Sequence, residues 1–130
     1  MEKIGLTTTL TGDMVSVQQR VTKALKAEGF GILTEIDVQS TLKNKIDVDF
    51  RPYKILGACN PRFAHRALTA APEIGLLLPC NVTLSETAPN TIEVSLIDPL
   101  VMSQMIDHAD VKHLADEVRE ALQRAIDSLT

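Results

Sequence analysis

Cys59-Asn60 and Cys80-Asn81 are the residues whose types and spacing best suit chemistry, and they account for both cysteines of the chain. Cys59 ends the apolar run Ile55-Leu56-Gly57-Ala58-Cys59, and Asn60-Pro61 opens a helical pattern directly after it. Asparagine caps a helix by accepting a hydrogen bond from an early N–H, and proline suits the first helical position because its missing N–H is not needed there. A thiol at such a junction feels the positive end of the helix dipole, which lowers a cysteine pKa toward neutrality. The thiolate would bind a soft metal, attack an electrophile or carry sulfur. The plainer reading makes Cys59 a small apolar filler at the end of a buried strand. Cys80 faces Cys59 if their two strands are neighbours, which would give a two-thiol site with Asn60 and Asn81 beside it.

Glu35 is the acid–base candidate. On an interior strand its carboxylate would be desolvated and its pKa raised unless it were paired, with Lys43, Lys54 or Arg62 in reach as partners. The plainer reading is a carboxylate at a wet sheet face or a subunit boundary. Catalytic candidates are therefore Cys59 and Glu35, and the expected ligand-binding set is Cys59, Asn60, Cys80, Asn81 and Glu35. No metal ligand set is expected. Structural zinc takes four ligands, and the sequence has no C-x-x-C. On one helix His108 and His113 would stand about 140° apart, and His65 reads as a solvated residue. No phosphate loop, serine elbow or triad signature is present, and no cofactor is indicated.

The elements that must position these residues follow from hydropathy periodicity and punctuation. Ile4 to Leu10 reads as a strand, and Asp13 caps a helix expected over Met14 to Glu28, whose Met14, Val17, Val21, Ala24 and Leu25 share one face. Gly29 stops it. Phe30 to Val38 reads as a second strand, with Phe30, Ile32, Thr34, Ile36 and Val38 on one face and Leu33, Glu35 and Asp37 on the other. Asp37 caps a short helix from Val38 to Ile46, in which Val38, Leu42 and Ile46 are expected to point inward. A turn-like segment over Asp47 to Pro52 leads into the third strand.

The helix after Asn60 ends at Pro72. The apolar run Ile74 to Leu78 then fills the core, makes a dimer contact or lines a pocket mouth. Val82 to Glu86 and Thr91 to Ile97 form a hairpin. Asp98-Pro99 starts a helical turn over Leu100 to Ile106, and Val111 to Leu129 carries an almost unbroken apolar stripe. The expected fold is α+β: a single mixed sheet of about five strands covered by helices, in the order β-α-β-α-β-α-β-β-α-α.

The 130 residues are enough for one domain, 1–130, with its own core. Hydrophobic residues make up 45% and charged ones 23%, the balance of an ordinary water-soluble protein. No apolar run approaches the roughly 20 residues of a membrane helix, and MEKIGLTTTL lacks the layout of a signal peptide. A cytoplasmic location with reduced thiols is expected. A net charge of −4, no tryptophan and one tyrosine give no reason to expect nucleic acid as a partner.

Gly29-Phe30-Gly31-Ile32 with Thr34 to Val38, Tyr53 to Pro61, Ile74 to Val82, and Asp98-Pro99 with Met102 together resemble the prokaryotic family known as domain of unknown function 302. The resemblance covers nearly the whole chain. It implies a compact α+β domain that pairs as a homodimer, in a family for which no enzymatic activity is established. Three functions are compatible with these residues. The first is a small cytosolic homodimer binding a small polar or anionic ligand near the Cys-Asn pairs. The second is a thiol enzyme or sulfur or metal carrier with Cys59 as nucleophile and Cys80 as resolving thiol. The third is a structural dimerisation or partner-binding module whose cysteines are inert.

Overall fold

In the computed structural model, residues 4–130 are described; Met1, Glu2 and Lys3, which open the segment read for a signal peptide, lie outside them. The elements run β1 (Gly5–Thr11), α1 (Met14–Ala27), β2 (Gly31–Asp37), α2 (Val38–Ile46), β3 (Tyr53–Cys59), α3 (Pro61–Ala70), a 3₁₀ segment (Pro72–Leu77), β4 (Cys80–Ala88), β5 (Thr91–Ile97), α4 (Leu100–Met105) and α5 (Ala109–Asp127). The caps read from the sequence are made. Asp13 accepts from the Ser16 N–H at 2.7 Å, and Asp37 accepts from that of Ser40 at 3.0 Å.

The five strands form one sheet in the order β1-β5-β4-β3-β2. Element order and class are those expected, and every pairing is antiparallel, so the sheet has no parallel pair of the mixed kind. Leu6, Leu10, Leu56, Val82, Leu84 and Val94 put one face of the sheet into the core. Val17, Val21 and Leu25 of α1 and the stripe of α5, from Val111 to Ile126, cover it. Thr7, Thr83, Glu93 and Ser95 belong to the other face, where the Thr7 and Ser95 hydroxyls bond at 2.8 Å across the strands. Burial of aliphatic side chains on one sheet face against an amphipathic helix is the main stabilising term of such a two-layer fold.

Two expectations are corrected. α2 turns inward only in part: Val38 and Leu42 are half-buried, no residue of the helix is fully buried, and Ile46 is 63% exposed. The cause is topological, because α2 follows the edge strand β2 and packs chiefly on β3 and β2, away from the helices over the core. The face assignment along β2 is also shifted. A bulge at Leu33 lies between the Ile32–Ala58 and Thr34–Gly57 pairs. Glu35, opposite buried Leu56, therefore shares the face of Ile32, and Thr34 and Ile36 take the other. Gly57 lies under this crossing, where a Cβ would collide with the Thr34 hydroxyl and come within 2.6 Å of Pro79.

Candidate functional site

The β3–α3 junction is built as the sequence indicates. Asn60 Oδ1 accepts from the backbone N–H groups of Arg62 at 3.1 Å and Phe63 at 3.4 Å. Its Nδ2 donates to the Glu28 carbonyl at 3.3 Å, which ties the junction to the end of α1. Gly29 makes this approach possible: its φ is +85°, and a Cβ there would lie 2.8 Å from Asn60 Nδ2. The Glu28 side chain in turn takes a hydrogen bond from Arg124 of α5 at 2.8 Å. Asn60 is thus a structural clamp, its Oδ1 taken up by two helix N–H groups and one of its two Nδ2 hydrogens by the Glu28 carbonyl.

β3 and β4 are neighbours, and Ala58 stands directly opposite Cys80. Both thiols are free. Cys80 is buried and Cys59 is half-buried. Burial, with a smaller contribution from neighbouring Cys59, pushes the Cys80 thiol up to about 11. Near neutral pH Cys80 is therefore a protonated, apolar group.

Beside the junction lies a cavity of about 50 Å³, bounded by the end of the sheet, α3, α4 and α5, with Cys59, Asn60 and Cys80 in its wall. The rest of the lining is apolar, with Phe30, Phe63, Ile74, Met102, Leu114 and Val118 as its large members. The Phe30 and Phe63 rings sit 6.1 Å apart, centre to centre. Cys59, Phe63, Ala64, Leu78 and Pro79 are partly exposed and form the outer rim, and Ala58, Ala67 and Val111 are buried behind them. Ile74 reaches the cavity from the 3₁₀ segment, and Leu76 points away at 87% exposure.

Two members of the expected set are elsewhere. Asn81 follows Cys80 on an extended strand, so it turns to the opposite face and lines a groove with Tyr53 and Thr83. Glu35 stands on an edge strand and is exposed, which is the plainer reading of a carboxylate at a wet sheet face. Hydrogen bonds from Lys54 at 3.1 Å and Gln18 at 2.6 Å hold its carboxyl below the usual carboxylate range, the outcome of pairing and not the raised value of an unpaired carboxylate on an interior strand. Lys54 is the partner, one of the three candidates; the Lys43 ammonium bonds Asp47 and Asp49.

The histidines are arranged differently from the helical-wheel expectation. His108 precedes α5 and caps it, its Nδ1 accepting from the Asp110 N–H at 3.1 Å, so the rotation about one helix does not apply. His65, His108 and His113 line one open cleft between α3 and α5, which the Arg66–Glu117 ion pair holds together at 2.7 Å. Among the described residues no three His, Cys, Asp or Glu side chains are gathered as metal ligands.

Sequence reasoning missed most of the cavity wall, because its residues come from five separate segments. Two signals were available: the Ile74 to Leu78 run, with a pocket mouth among its readings, supplies Ile74 and Leu78, and the Asp98-Pro99…Met102 motif supplies Pro99 and Met102. Asp98 caps the start of α4 by accepting from the Leu100 N–H at 3.0 Å and bonds Arg119 at 3.2 Å, which sets Pro99 and Met102 against the cavity.

The family model described as Domain of unknown function DUF302 matches residues 6–129. A crystal structure of an uncharacterized conserved DUF302 protein from Bacillus stearothermophilus is similar over 98% of both chains, with 27% identity and a TM-score of 0.89. No curated protein matches the chain. Among the described residues no helix is long and apolar enough to cross a membrane.

Proposed function

The chain belongs to the DUF302 family, and from that premise we propose that it is a single-domain, cytoplasmic, homodimeric binding protein whose cavity at the β3–α3 junction receives the compact apolar end of a small ligand. The observation that carries this is the lining: a partly open cavity whose wall is almost wholly apolar and whose one buried thiol is protonated. Small-molecule sites are mostly apolar concavities with few polar groups. A volume of about 50 Å³ suits a short aliphatic group, since roughly 10–15 Å³ of such space already holds one water molecule. An anionic head finds few partners inside: Asn60 has one Nδ2 hydrogen beyond its bond to the Glu28 carbonyl, and Asn81 and Glu35 are elsewhere. The thiol-chemistry reading is weaker, because Cys80 holds its proton and is a poor resolving group. Free cysteines on adjacent strands agree with a reducing compartment.

Hexanol and hexanoate share a chain and differ in head group, so titrating each into the protein while following proton–nitrogen correlation spectra tests the reading. Saturable shifts with hexanol at Ala58, Cys59 and Ala115, lost in Ala64→Leu, are expected. Shifts that never saturate, or a response to hexanoate alone, would overturn it.

A further inference from the structure

The chain from Gly31 to Arg51 holds the largest unburied set of apolar side chains in the molecule. Leu33 is 67% exposed, Ile36 49%, Ile46 63%, Val48 42% and Phe50 38%. All five lie on β2, on α2 or on the connection that follows it, at one edge of the sheet. An edge strand presents unpaired N–H and C=O groups, and folds usually blunt such an edge with lysine, proline, a bulge or a covering element. β2, reading GILTEID, has neither lysine nor proline, and its bulge at Leu33 leaves Thr34 to Asp37 regular. The opposite edge, β1, differs: its leucines, Leu6 and Leu10, are buried, and its other side chains are small and hydroxylic.

We infer that this β2–α2 surface is where a second copy of the chain binds, β2 pairing with β2 of the partner across a two-fold axis. The inference rests on the homodimer reading above for the occupant and adds the place of contact. Three observations select a second copy. Two copies of one strand related by a two-fold axis normal to the sheet run antiparallel, the pairing used throughout this sheet. The segment carries four acidic residues (Glu35, Asp37, Asp47, Asp49) and three basic ones (Lys43, Lys45, Arg51), so it meets its own image almost neutral. Glu35, the charge nearest the middle of β2, is already paired with Lys54. The five side chains together expose apolar surface on the order of several hundred Å². With the backbone of a seven-residue strand, this approaches the roughly 800 Å² per partner of a standard interface.

Sedimentation equilibrium on the wild type, Leu33→Asp, Ile46→Asp and Leu76→Asp tests this, with circular dichroism to confirm that each variant is folded. All three positions are exposed, and Leu76 lies outside the segment on the 3₁₀ turn. A wild-type dimer that weakens by about tenfold or more in Leu33→Asp and Ile46→Asp, and is unchanged in Leu76→Asp, is the expected result. A dimer insensitive to both Leu33→Asp and Ile46→Asp, or one lost in Leu76→Asp, overturns the surface and leaves the homodimer reading standing. A wild-type monomer overturns both.

Discussion

Cys80 shows how neighbours decide what a residue can do. Its thiol is raised from 9.0 to about 11 because it is buried at the start of β4. The folded chain therefore keeps a proton that the unfolded chain releases above about pH 9. This group costs no stability below that pH, and stability falls as pH rises from the unfolded value toward the folded one. Native alkylation followed by mass spectrometry checks the shift: at pH 8 the Cys80 thiolate fraction is expected to be roughly a hundredfold below that of the unfolded chain. A native midpoint near the free-thiol value would contradict the burial argument. At this scale the sequence was legible where geometry is local. The Asn60 cap, one residue from Cys59, could be read directly, and so could the Asp13 and Asp37 caps. Asn81 was misplaced because β4 begins at Cys80 and not at Val82, so strand alternation turns it away from its neighbour, and Glu35 for a non-local reason, its edge position in the sheet.

The β3–α3 unit holds the cavity rim in place, and Asn60 is its central fastening. Replacing an N-cap asparagine with alanine costs about 1 kcal/mol, and here the Glu28 carbonyl loses its Asn60 partner as well. Asn60→Ala is expected to lower the melting temperature by several degrees without changing the helix count, as read by thermal denaturation and circular dichroism. An unchanged melting temperature would mean that the clamp is dispensable. Elements were the most legible level of the sequence. The stripe of α5 appears with eight buried residues, Val111, Leu114, Ala115, Val118, Ala121, Leu122, Ala125 and Ile126. The exception is α2, whose pattern of Val38, Leu42 and Ile46 is that of a packed helix although Val38 and Leu42 are only half-buried and Ile46 is exposed. Periodicity reports that a face is apolar and is silent about what covers it, and a partner copy satisfies the pattern as well as a core does. The bulge at Leu33 was likewise invisible, since a one-residue insertion in a ladder leaves no mark in composition.

At the scale of the whole molecule, α1 and α5 cover one face of a five-stranded antiparallel sheet, with α5 against α1, α3 and α4. The class and element order could be read from the sequence, and the strand order could not, because pairing β1 with β5 depends on contacts almost the whole chain apart. The same holds for the cavity, which exists only once α3, α4 and α5 meet over the ends of β3 and β4. The central claim is that this cavity is an apolar space open to a small occupant. Methyl proton–carbon spectra recorded under increasing xenon pressure test it most directly, since xenon enters dry apolar cavities without needing a polar partner. Saturable shifts are expected at Ile74, Val111, Leu114 and Val118, which line the cavity, with Val17 and Val21 of α1 unmoved. Small, uniform, non-saturating shifts across all these methyls would contradict it.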